Sequence, residues 1–286
     1  MVHLAAGTSG SARSRFDATV LATERLIGAM REVGWRGRLV HVSTLAVYAF
    51  NQVPAGGTID ESTALEPHLD RRDDYAWVKS VQERLVGELR AEGAVQVVVV
   101  RPGAVYGHER QFQHRLGRLL GDGRVVLIGG RNRMPLNYVE NTASLLVECT
   151  VSPRAAGETF NAIDPQPPRQ YQYLRSWRRA QPGPTRVLPF PLTAYNAIAA
   201  AYELADRLSR GRISSPGMLS RYPMMPNLRS YRYATDRAAA TLGWDPPFSR
   251  TQAFARTFAD KPPRPPAPVH AGDPDARERG SVRASG

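Results

Sequence analysis

Val95-Gln96-Val97-Val98-Val99-Val100 is an almost unbroken β-branched run. It shows no alternation of apolar and polar residues, so neither face of this strand meets water. Strands of that kind belong to parallel sheets covered by helices on both sides. Arg38-Leu39-Val40-His41-Val42 reads as a second strand, and Val2-His3-Leu4-Ala5-Ala6 as a short buried strand entering a loop at Gly7. Between those two, residues from about Phe16 to Val33 place Val20, Leu21, Leu26, Ile27 and Met30 on one side, as an amphipathic helix does. A Pro- and Gly-rich loop spans Asn51 to Arg72, and a helix runs from Asp74 to about Ala91. Strand and helix alternate, so the fold class is α/β.

That last helix opens with Asp74-Tyr75-Ala76-Trp77-Val78-Lys79. Residues four apart lie on one helix face, one turn from each other. An ammonium beside a phenol favours the phenolate and lowers its pKa from about 10. Such a pair suits proton exchange with a secondary alcohol or ketone. The spacing is common by chance, but the composition adds weight. Of 38 Lys and Arg residues only Lys79 and Lys261 are lysines. An amine kept against that drift toward arginine is one required as an amine. Two further segments sit at strand ends, where ligands of open α/β sheets bind. They are Ser43-Thr44 and Arg101-Pro102-Gly103-Ala104-Val105-Tyr106-Gly107.

The net charge of +12 raises nucleic acid as a partner, but the arginines are scattered without a dense run or zinc-finger spacing. No nucleic-acid partner is expected. A lone cysteine, Cys149, excludes an internal disulfide and suggests no metal site. The start lacks a signal-peptide pattern and no apolar run reaches 18 residues, so the expected location is cytoplasmic.

In order along the chain, these motifs resemble an extended short-chain dehydrogenase/reductase of the NAD-dependent epimerase/dehydratase type. The resemblance also draws on Asp60-Glu61, Glu83, Pro135 to Val139, Gly157 to Asn161, Ala234 to Arg237 and Leu242-Gly243-Trp244. It covers roughly residues 1 to 260. It implies Tyr75 as acid/base and Lys79 as the residue that lowers its pKa and holds the nicotinamide ribose. It implies Thr44 as the partner of the reacting oxygen, with Ser43 beside it. Pro102, Gly103 and Val105 would line the nicotinamide site, and Ala5 and Ala6 would lie near the phosphates or adenosine ribose. The implied cofactor is NAD or NADP. The implied architecture is a partial dinucleotide-binding domain (1–111 and about 135–165) and a smaller substrate lobe (112–134 and about 166–260). Residues 261–286, rich in proline and small polar residues, read as a disordered tail.

The chain begins at what resembles the family's fourth strand, so an N-terminally truncated Rossmann-type sheet is expected. No glycine fingerprint is found: Gly117, Gly121 and Gly123 are wrongly spaced and follow a helix-like segment, and no βαβ unit precedes Gly7 to Gly10. A misassigned start is the favoured explanation, beside a gene remnant or a partner chain that supplies the rest. The strand at Val2 would be a hydrophobic edge, and cofactor binding by this chain alone would be weak.

Leu45-Ala46 after Thr44 counts against dehydration by this resemblance, and Gly103 against nucleotide sugars. The expected function is NAD(P)-dependent oxidoreduction of a secondary alcohol or ketone on a small, lipophilic or modest-sized molecule. Nucleotide-sugar epimerase, or a non-catalytic remnant without cofactor binding, is the alternative. The apolar helix from Pro189 to Leu208 is expected to pack within the lobe, with contact to a membrane surface or a lipophilic substrate as the lesser reading. By resemblance, the helices from Phe16 and Asp74 would form a homodimer.

Overall fold

The computed structural model describes residues 1–120, 123–210, 212 and 219–259. The expected tail, 261–286, lies outside them. In chain order the strands are β1 (Val2–His3), β2 (Arg38–Val42), β3 (Thr58–Ile59), β4 (Gln96–Pro102), β5 (Ala104–Tyr106) and β6 (Arg118–Leu119). They continue with β7 (Arg124–Ile128), β8 (Leu136–Tyr138), β9 (Thr159–Ala162), β10 (Arg186–Phe190) and β11 (Arg232–Tyr233). The helices are α1 (Ala12–Phe16), α2 (Ala22–Glu32), α3 (Asp74–Ala91), α4 (Val139–Val151) and α5 (Gln170–Arg179). After them come α6 (Leu192–Leu208), α7 (Arg221–Leu228), α8 (Arg237–Leu242) and α9 (Arg250–Thr257). A π-helical stretch, Asp17–Leu21, joins α1 to α2.

The main sheet is parallel in the order β1-β2-β4-β9. Val97 to Val100 of β4 are all buried, as their lack of alternation requires. One face of the sheet packs Val98, Val100 and Phe160 against Leu145 and Cys149 of α4 and Leu242 of α8. The other packs Leu39, Val97 and Val99 against Ile27 and Met30 of α2 and Val86 and Leu89 of α3. Arg38 ties the first layer down: its guanidinium donates to the carbonyls of Cys149, Thr150 and Ser152, where the end of α4 has no intrahelical partners.

The first strand is shorter than its apolar run predicts. Only Val2 and His3 pair with β2, and Met1, Val2 and Leu4 are exposed. It is the sheet's edge rather than a buried strand. The helix-like segment near 112–120 is instead one 3₁₀ turn, His114–Leu116, followed by β6. Gly117 between them has φ of 118° and lies so close to β7 that a Cβ would stand 1.9 Å from the Val126 carbonyl oxygen.

Two parallel pairs leave the main sheet. β5 pairs with β8, and β7 pairs with β10, with β6 antiparallel on β7. Tyr106, Tyr138, Tyr173 and Trp177 form an aromatic core beneath them. Asp164, just past β9, locks the junction. It accepts from the Tyr106 hydroxyl at 3.0 Å, the Tyr138 amide at 2.9 Å and Asn141 at 2.8 Å. α6 packs less of its surface than its composition predicts. It buries Tyr195 and Ala199, while Ile198, Leu204 and Leu208 are exposed. No helix among the described residues is long and apolar enough to cross a membrane.

Candidate active site

Three segments converge where β2 and β4 end. The backbone after β2 bends sharply because Thr44 caps a 3₁₀ turn, Leu45–Val47, its hydroxyl accepting from the Ala46 amide at 3.2 Å. Asp73 caps α3 in the same manner, accepting from the Ala76 amide at 3.0 Å. This places Tyr75 in the first turn of α3 and Lys79 one turn further in. Pro102 and Gly103 follow directly from β4. Thr44, Tyr75, Lys79, Ser43, Pro102, Gly103, Val105 and Ala6 line one cleft of about 1350 Å³. Ala5 does not line it. Its carbonyl instead accepts from Gln82 at 3.0 Å.

Lys79 is buried and donates to the Val42 carbonyl at 2.8 Å and to Gln82. Gln82 in turn donates to Thr23 at 2.8 Å, and His3 contacts the same hydroxyl at 2.8 Å. The ammonium is thus positioned by a polar network reaching the edge strand. Burial pulls its pKa down to about 8, with the Glu83 charge acting the other way. Burial also pushes the Tyr75 phenol above its ordinary value, while a hydrogen bond with Thr44 and the charge of Arg110 act to lower it. The spacing of Tyr75 and Lys79 predicts a lowered phenol. The structure gives the opposite direction, because desolvation dominates and the ammonium is directed at Val42 and Gln82.

Glu83, one turn beyond Lys79, is taken up differently. It forms a buried ion pair with Arg101 at 2.6 Å, and Arg101 also donates to the Tyr48 hydroxyl at 2.9 Å. Tyr48 completes the chain by donating to Asn161 of β9 at 2.7 Å. These groups brace α3, β4 and β9 behind the cleft.

Gly103 has a structural reason to be glycine. A Cβ there would stand 2.1 Å from the Pro135 carbonyl oxygen, which accepts from the Ala104 amide at 2.8 Å. The residue is set by the join of β5 to β8, so it carries no information about a sugar or lipophilic substrate.

The far wall of the cleft holds residues that the sequence did not single out. Arg110 follows the turn after β5, and no carboxylate pairs with it among the described residues. Arg115 donates to the Pro226 carbonyl at 2.7 Å, and Arg207 ends α6. Arg71 lies over the Tyr222 ring, 4.0 Å from its centroid, while Tyr222 donates to Glu66 at 2.8 Å. Glu66 also pairs with Arg72 at 3.2 Å, so the loop before α3 is fastened to α7 at the rim. Arg110 has no local motif to reveal it; only the fold brings it opposite Tyr75.

The donor set suits the ribose and carboxamide end of a nicotinamide nucleotide. Ser43 offers a buried hydroxyl without a protein partner, and Lys79 has a third N–H beyond the two already engaged. Pro102 and Val105 supply an apolar surface beside them. Among the described residues no group of His, Cys, Asp and Glu could hold a metal ion.

A parallel α/β sheet with a hydroxyl, phenol and ammonium at its strand ends defines a class. Residues 1–162 match the NAD dependent epimerase/dehydratase family, and the chain belongs to that family. It is 27% identical over 191 residues to a UDP-glucose 4-epimerase of Vibrio cholerae, covering 65% of this chain and 52% of that protein. The chain therefore spans about half the length of this curated relative. Among solved structures, it resembles a short-chain dehydrogenase/reductase superfamily protein of Agrobacterium tumefaciens with bound NAD. The TM-score is 0.63 at 19% identity, over 90% of this chain and 77% of that one. A UDP-glucuronic acid 4-epimerase of Bacillus cereus in complex with NAD gives 0.63 at 15% identity, over 90% and 71%.

Proposed function

We propose that the chain carries the catalytic end of an NAD(P)-dependent oxidoreductase acting on a secondary alcohol or ketone. The observation that carries this reading is the placement of Thr44, Tyr75 and Lys79 on one cleft. Thr44 and Tyr75 hold the reacting oxygen. In reduction the Tyr75 phenol gives its proton to the substrate oxygen and is left as phenolate, and in oxidation that phenolate takes the proton of the alcohol. When bound, a nicotinamide would supply or accept the hydride. Lys79 and Ser43 orient the ribose, the Lys79 ammonium being held on the Val42 carbonyl and Gln82 rather than on the phenol. Either NAD or NADP satisfies these groups.

Nucleotide-sugar epimerisation is the second reading. The arginines lining the same cleft as Tyr75, Arg110 above all, suit an anionic substrate, and the Vibrio relative is named as an epimerase of that kind. A panel of ketones and secondary alcohols against UDP- and dTDP-sugars separates the two. Turnover confined to the sugars promotes the second.

Tyr75→Phe keeps the ring and removes the proton, so turnover of whichever substrate is accepted should fall about 10²–10⁴-fold. Lys79→Arg should also be poor, since a guanidinium cannot replace a compact buried ammonium. Near-normal turnover of Tyr75→Phe would take the phenol out of the mechanism.

A further inference from the structure

A second cleft, of about 560 Å³, shares no lining residue with the first. It is built where the strand entering β8, the start of α5, β11 and the start of α9 meet. Arg133, Arg169, Arg232 and Arg250 line it, with Gln172 and Thr235, and no acidic residue does.

The guanidiniums are oriented but not neutralised. Arg133 donates to the Pro167 carbonyl at 3.0 Å, Arg250 to the Gln166 carbonyl at 3.0 Å, and Arg169 to the Arg131 carbonyl at 3.4 Å. Arg232 reaches the Thr58 hydroxyl at 3.4 Å. None of the four forms an ion pair among the described residues. A guanidinium has five N–H donors, so each keeps most of its fork available. Gln166, whose carbonyl holds Arg250, sits at φ of 55°, a left-handed conformation uncommon for a residue with a side chain. Arg133, Arg169 and Arg232 are exposed and Arg250 is half-buried, so water and salt screen their mutual repulsion, and an anion entering the cleft would be attracted by all four charges.

We propose that this cleft binds a small organic diphosphate, at a site separate from the reacting centre. A phosphate group carries about −1.5 to −2 and three strong acceptors. Joined in an organic diphosphate, the two carry roughly −3, because the inner phosphate keeps a single ionisable oxygen, and planar forks match phosphate oxygens in pairs. The amide of Gln172 and the hydroxyl of Thr235 add neutral donors for the bridging oxygens or an attached group.

The test is calorimetric titration of the full chain with inorganic pyrophosphate at physiological salt. One site is expected, weakened about tenfold or more in Arg133→Gln/Arg250→Gln, a loss of about 1.4 kcal/mol. Arg25→Gln/Arg84→Gln, which removes the same charge elsewhere, should bind as the parent does. Arg133→Lys/Arg250→Lys keeps the charge and loses the forks, and should also bind weakly. Thermal melts establish that each variant is folded. Absence of binding, an unchanged affinity in Arg133→Gln/Arg250→Gln, or an equal loss in Arg25→Gln/Arg84→Gln overturns the proposal. So does tighter binding of a single-stranded oligonucleotide, which would make this a nucleic-acid surface.

Discussion

Gly103 and the Pro135 carbonyl meet so closely that no side chain fits between them. The clash is with backbone, which cannot swing aside as a flexible side chain can. Gly103→Ala is therefore expected to cost about 3 kcal/mol or more, the upper end for overpacking. For a chain of this size that lowers Tm by roughly 6–12 °C. A thermal melt within 2 °C of the parent, roughly the shift for 1 kcal/mol or less, would show that the β5–β8 join yields easily. Cys149 illustrates the contrary case of a residue type without a chemical role. Its thiol is buried against the sheet and pushed up to about 12, so it is inert packing.

At the level of elements, β2, β4 and α3 were readable because each is decided by local pattern. The Val97–Val100 run could only be a strand covered on both faces, and Tyr75 and Lys79 inherit their shared cleft from helix periodicity. The apolar run at Val2 predicts a longer strand than forms, since nothing in Leu4-Ala5-Ala6 signals that pairing stops after His3. The segment before Gly117 looked helical because its close approach to β7 is a non-local fact. Arg110 and the arginines of the second cleft were not legible for the same reason. Arg133 and Arg250 are brought together by topology, not by spacing. Glu83 and Arg101 test how the elements are braced. Glu83→Gln leaves a buried guanidinium without its counter-charge and should cost about 3–5 kcal/mol. Glu83→Met combined with Arg101→Leu should recover most of that loss. Chemical denaturation of the parent and the two variants measures it, and equal stability of the single and double variants would contradict the account.

For the molecule as a whole, the weak point toward acid lies between β1, β2 and α3. Burial, then the Lys79 charge, lower the pKa of both His3 and His41, and neither ring nitrogen of His41 has a partner. The folded state keeps them neutral, whereas the unfolded chain takes up protons as pH falls through about 6.5. Unfolding then binds more protons than folding, so stability present above pH 6.5 is lost progressively below it. Each such group contributes at most about 1.4 kcal/mol per pH unit. The half-buried Glu61 and buried Asp164 carboxyls, raised chiefly by desolvation, oppose the trend at lower pH. Melts of parent and His41→Leu between pH 7.5 and 5.5 should show a steeper decline in the parent. Parallel curves would place the acid sensitivity elsewhere.

The pairing of β5 with β8 also governs the order in which the chain assembles. The two strands are separated by the excursion that contributes β6 and β7, and their lock, Asp164, arrives only after β9. The pairing of Arg38 with Gln96 spans a loop as long as that between Tyr106 and Asp164, but it joins two strands, whereas Asp164 has to find β5, β8 and α4 already in place. Asp164→Asn should then leave the refolding rate nearly unchanged and accelerate unfolding, the behaviour of a contact absent from the transition state. Stopped-flow rates in denaturant report the two limbs separately. A slowed refolding limb would instead make that junction part of the nucleus.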